Sequence, residues 1–89
     1  LIELLQTRRF EKAVAKLHAQ QKKVLDKAIR DILAAPEEGE MKKGDLAGVR
    51  IAKFRMENQL VLLAYTYEEA TLTLLALGSH ENFYRDLKK

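Results

Sequence analysis

The chain has 89 residues, with 16 lysines and arginines against 13 aspartates and glutamates, and no cysteine. That length fits one domain over residues 1–89, long enough for a single core without covalent staples, and the lack of thiols excludes disulfides and thiolate metal sites. No apolar run approaches the roughly 20 residues of a membrane span, and the first residues lack a basic-then-apolar secretion signal, so a cytoplasmic protein without membrane contact is expected.

In chain order, residues 1–5 form a short apolar run that suits a strand. Thr7 is a suitable N-cap for a helix begun at the next residue, and Glu11 lies early enough to favour the helix dipole. Phe10, Ala13, Val14 and Leu17 recur at helical spacing, and after a polar break at residues 18–21 the stripe resumes at Val24, Leu25, Ala28, Ile29, Ile32 and Leu33. The pattern predicts two helices in an antiparallel hairpin. The second should stop near Ala35, because Pro36 disfavours helical geometry in the residue before it and Gly39 loosens the linker.

Beyond the linker the period changes. Residues 49–55, 60–67 and 71–77 are rich in β-branched, aromatic and apolar side chains, separated by short turn segments at 56–58 and 68–70. They predict a three-stranded antiparallel meander whose middle strand is the most buried, with the helical hairpin over one face. Gly78 closes the last apolar run, and a short C-terminal helix carrying His80 and Tyr84 is expected after it. The fold class is therefore α+β: an N-terminal strand, a helical hairpin, the meander and a short terminal helix.

Charge is unevenly placed. Residues 1–35 carry eight cations against four acids, and residues 42–55 carry Lys42, Lys43, Arg50, Lys53 and Arg55 against Asp45 alone. Such a concentration suits phosphate, since each neutralised phosphate releases counterions; lysines also guard sheet edges against aggregation. His80, just past a strand end, has a side chain that titrates near neutrality and so suits proton transfer. His18 sits among Gln20, Gln21, Lys22 and Lys23 and reads as an exposed residue of the polar break. With two histidines sixty-two positions apart and no cysteine, no metal site is expected.

The run Lys42-Lys43-Gly44-Asp45-Leu46-Ala47-Gly48-Val49-Arg50 resembles the lysine-glycine, spacer, glycine-x-arginine approach to the sheet in the RelE/ParE superfamily of bacterial toxins. The closing Gly78-Ser79-His80-Glu81-Asn82-Phe83-Tyr84 is similar to the end of many members, and the two segments occur in the right order. The resemblance implies a toxin held inactive by a cognate antitoxin, and it spans two activities: ribosome-dependent cleavage of messenger RNA, or inhibition of DNA gyrase without nuclease chemistry. A third class is a degenerate, non-toxic member that still binds antitoxin.

RNA cleavage requires a base for the ribose 2′-hydroxyl proton, cations for the phosphate and an acid for the departing oxygen, and it needs no metal or cofactor because the nucleophile belongs to the substrate. On the nuclease reading Arg50 stabilises the phosphate with its permanent planar charge, His80 is general acid or base, and Tyr84 stacks on or orients a nucleobase. Lys42, Lys43, Lys53 and Arg55 bind the RNA backbone, and Glu57, in a hairpin turn, is a possible acid or base. Side chains alternate along a strand, so Lys53 and Arg55 share a face that Arg50 joins only if a bulge intervenes. Two departures stand out: Gln59 replaces the arginine that many nuclease members carry before the central strand, and Lys53 stands where several carry a histidine. An acidic, partly disordered antitoxin folding across grooves and sheet edges would cover the basic face.

Overall fold

Thr7 begins the helical layer in the way its residue type dictates. In the computed structural model, which describes residues 1–41 and 48–79, its hydroxyl accepts the Phe10 N–H at 3.1 Å and donates to the Leu75 carbonyl at 2.7 Å. One side chain therefore caps helix α1 (Arg8–Ala15) and ties it to the sheet. Strand β1 (Glu3–Gln6) precedes it; α2 (Ala19–Ala34) comes after a three-residue joint. The stop at Ala34 is the one that Pro36 predicts.

The remaining elements are β2 (Glu40–Met41), β3 (Arg50–Met56), β4 (Gln59–Glu68) and β5 (Thr71–Ser79), giving a sheet of order β1-β5-β4-β3-β2 among the described residues. The expected meander is β3-β4-β5, all antiparallel, and β1 joins it in parallel register with β5, Glu3 opposite Thr71 and Gln6 opposite Leu74. As the apolar run predicts, β4 is the most buried strand: Val61, Leu62, Leu63, Ala64 and Tyr65 are all buried. On the helix side Phe10, Leu25 and Ile32 pack with Met56, Val61, Leu63, Tyr65, Leu72 and Leu74. Each such aliphatic side chain contributes roughly 1.5–3 kcal/mol by leaving water. The opposite face holds a smaller buried cluster of Ile51, Leu62, Ala64 and Ala76.

Four details depart from the sequence expectations. The linker after α2 contains β2, whose two residues pair with Arg50 and Ile51 and are too few to show a period. The polar break between the helices is residues 16–18, because His18 caps α2 and residues 19–21 are already helical. Both hairpin turns have two central residues, Glu57-Asn58 and Glu69-Ala70, all at positive φ between 49° and 67°, the geometry that matches the twist of the flanking strands. The sheet irregularity lies between β4 and β5 at Ala64/Tyr65, whereas β3 pairs with β4 without a shift. The expected C-terminal helix lies outside the described residues. No helix among the described residues is long and apolar enough to cross a membrane.

Candidate functional site

The unshifted β3–β4 register decides how the cations of β3 are distributed. Ala52, Phe54 and Met56 belong to the helix-side core and Ile51 to the opposite cluster, so strict alternation turns Lys53 and Arg55 the same way as Ile51, and Arg50 towards the helix side. The bulge that would unite all three cations is absent from β3. Lys53 and Arg55 are both exposed, and alternate positions on a strand stand roughly 6.6 Å apart. Neither forms an ion pair with a described residue. The Arg55 contact to a neighbour is a long 3.5 Å approach of Nη1 to the Asn58 carbonyl. A cationic pair of this kind attracts anions and loses strength with salt.

Arg50 is half-buried and holds the linker instead. Its Nη1 donates to the Glu37 carbonyl at 2.8 Å and the Gly39 carbonyl at 3.3 Å. Tyr65, buried in β4, completes this clasp: its hydroxyl donates to the Pro36 carbonyl at 2.8 Å and accepts the Gly39 N–H at 3.2 Å. Burial pushes the Tyr65 hydroxyl above its ordinary pKa, an effect opposed by the Gly39 hydrogen bond and the Arg50 charge. Gly39 is required here because a Cβ would collide with the Tyr65 hydroxyl. Beside the clasp lies a groove of about 370 Å³, floored by Ala28, Ile32, Ala35 and Phe54 and flanked by Asp31 and Glu38.

A basic strand surface on a mixed sheet with two helices packed on its other face matches one group of proteins along nearly the whole chain. The model of the ParE-like toxin of type II bacterial toxin–antitoxin systems matches residues 4–88. The chain belongs to this family. The toxin is also similar in fold to the intact E. coli RelBE toxin–antitoxin complex, at 19% identity and a TM-score of 0.73 over 91% of this chain and 99% of that one. A free-state mutant of E. coli toxin RelE gives 18% identity and a TM-score of 0.76 over 98% and 92% of the two chains. The YoeB/ParE toxin from Agrobacterium tumefaciens gives 18% and 0.65 over 89% and 99%. No curated protein sequence matches the toxin.

Of the residues singled out in the sequence, the structure brings Lys53 and Arg55 together, sets Arg50 on the other side of β3, and ties Glu57 into a separate cluster. Lys42, Lys43, His80 and Tyr84 lie outside the described residues. Ser79, the residue before His80, lines a second groove of about 280 Å³ with Lys16, Gln21, Met56 and Gln59.

The Glu57 cluster is a connection that sequence reasoning missed. The His18 Nδ1 takes the Gln21 N–H at 3.5 Å, and the Gln21 side-chain oxygen takes the His18 N–H at 3.1 Å, a reciprocal capping box. With Nδ1 an acceptor, the proton sits on Nε2, which donates to Glu57 Oε1 at 3.0 Å. Gln21 Nε2 donates to the same oxygen at 2.7 Å. Glu57 thus ties the β3–β4 turn to the start of α2, and its best-placed oxygen is occupied. The sequence signal was present, a polar residue three before a glutamine at a helix start, with histidine in the place of the usual serine or threonine. Among the described residues no group of three or more histidines, aspartates or glutamates could hold a metal.

Proposed function

We propose that this toxin is a cytoplasmic, ribosome-dependent messenger-RNA endoribonuclease that works without a metal or cofactor and is restrained by its cognate antitoxin. The observation that supports this reading best is the exposed Lys53 and Arg55 pair, two cations on one strand face with no acidic partner among the described residues. In the reaction the ribose 2′-oxygen attacks the adjacent phosphorus, its proton passing to a base as the bond to the 5′-oxygen breaks. That oxygen leaves with a proton from an acid, giving a cyclic phosphate and a 5′-hydroxyl end. Lys53 and Arg55, with Lys42 and Lys43, hold the RNA backbone; His80 moves the proton; Tyr84 orients a base. Arg50, on the other side of β3 from Lys53 and Arg55 and bonded to the carbonyls of Glu37 and Gly39, fixes the linker in this reading and does not share their phosphate. The neighbours in fold include the E. coli RelE toxin, free and with its antitoxin.

The test is incubation of the purified toxin with messenger RNA on programmed ribosomes, mapping new 5′ ends for wild type, Lys53→Ala/Arg55→Ala and His80→Ala. Cleavage that needs the ribosome and falls by at least tenfold in both variants is expected. A second reading, a gyrase inhibitor without nuclease activity, is favoured by the ParE-like character of the matching family model. Under it messenger RNA stays intact, and a supercoiling assay without ribosomes is inhibited by wild type and His80→Ala alike.

A further inference from the structure

Among the described residues, the sheet face is not the largest concentration of cations without ion pairs. Helix α1 carries Arg8, Arg9 and Lys12, and its C-cap is Lys16; all four are exposed. At 3.6 residues per turn their side chains fall within a single arc of about 100°, running about 12 Å along the axis. Phe10 and Val14 take the opposite side and pack into the core, and Glu11 lies outside the arc. The four cations and Ala13 border a shallow groove of about 460 Å³. None of the four makes a side-chain ion pair with a described residue. Arg8 and Arg9 also occupy the first turn, where a positive charge opposes the helix dipole. Glu11, also in the first turn, offsets only part of this charge, and the use of the ridge lies in what it meets from outside.

Two observations select the ligand. The ridge offers no aromatic platform, since Phe10 is 1% exposed, and an unstacked single strand is held by base stacking as well as charge. A row of cations without stacking partners suits the regular phosphate backbone of a double helix. The ridge also stands on a helix packed against the opposite sheet face from Lys53 and Arg55, so one short phosphate run cannot serve both. We infer that the α1 ridge docks double-helical RNA, holding a structured RNA surface while the other face of the sheet works on the strand to be cut. The choice of RNA over DNA rests on the endoribonuclease reading.

The experiment is fluorescence anisotropy of the purified toxin with a labelled 20-base-pair RNA duplex between 50 and 200 mM KCl. The comparison ligands are a DNA duplex of the same sequence and a single-stranded RNA of equal length. Four phosphate contacts predict that affinity for the RNA duplex falls on the order of 10²-fold over this range. The logarithmic salt slope should shrink by about 0.9 in Lys12→Gln or Lys16→Gln and by about 3–4 when all four cations are changed to Gln. The single variants test the idea even if the fourfold variant fails to fold, and circular dichroism checks each. An unchanged slope would overturn the inference, as would single-stranded RNA bound as tightly as the duplex; a DNA duplex bound more tightly than the RNA duplex would overturn the choice of RNA. Loss of antitoxin binding with an unaltered duplex slope would assign the ridge to the antitoxin. Because no cleavage is read, His80→Ala should bind the duplex as wild type does, which separates failure here from failure of the nuclease reading.

Discussion

Removing one oxygen, in Tyr65→Phe, tests the account of the linker clasp. The ring stays and the buried volume barely changes, while the hydroxyl's donation to Pro36 and its acceptance from Gly39 are both lost. A hydrogen bond contributes about 0.5–1.5 kcal/mol net, and a partly buried carbonyl or N–H left unpaired costs more, so the expected loss is about 2 kcal/mol. In a chain of this length that lowers Tm by about 8–16 °C. Urea unfolding should show an earlier midpoint with an unchanged slope, since the exposed area is the same.

A pH series sharpens the test. Burial raises the Tyr65 pKa in the folded state, so the folded chain holds that proton more tightly than the unfolded one. Its contribution is complete below the ordinary tyrosine value of about 10 and declines as pH rises through the folded value. The gap between wild type and Tyr65→Phe should therefore narrow above about pH 10. Arg50→Ala, which frees the Gly39 carbonyl, should couple to Tyr65→Phe by at least about 0.5 kcal/mol because both act on one residue. A loss below about 0.5 kcal/mol for Tyr65→Phe, within the range of neutral substitutions, would refute the clasp.

Neighbouring features make further outcomes testable. Gly39→Ala should destabilise by about 1–3 kcal/mol in the same urea assay, because its methyl group meets the Tyr65 hydroxyl. Ala70→Gly should stabilise by about 0.5–1 kcal/mol, since Ala70 sits at φ 63°, a region that penalises a Cβ. Glu57→Gln should cost no more than about 1 kcal/mol at neutral pH, as its tie to His18 is half exposed on both sides. Lys53→Ala/Arg55→Ala should leave the melting temperature within about 2 °C of wild type while RNA binding weakens, since both side chains are exposed and neither forms an ion pair with a described residue.

Much of this architecture is legible in the chain, for identifiable reasons. The Thr7 cap, the stop before Pro36 and the buried β4 each rest on local chemistry that a short window contains. The two-residue β2 has no period to read. The turn-flanking residues Met56 and Glu68 look like loop because hairpin turns accept polar neighbours, yet each ends a strand. The site is less legible than the fold. Alternation does place Lys53 and Arg55 together, but a bulge has no residue signature, and the one present falls between β4 and β5. The bonds from Arg50 to the carbonyls of Glu37 and Gly39 depend on where the linker passes, and the Glu57 tie to His18 spans 39 positions; neither is encoded locally.

The parallel pairing of β1 with β5 bears on when, during synthesis, this toxin first acquires its finished fold. Thr7 waits for the Leu75 carbonyl, 68 positions later, and Phe10 waits for Leu72 and Leu74. At about 5–20 residues per second the ribosome needs roughly 3–14 s to add that stretch. During that interval the helical segment is present without the strand that seats it, and contacts this distant in sequence form slowly even afterwards. Each newly made molecule therefore passes through an interval in which the apolar face of its first helix is made but not yet covered.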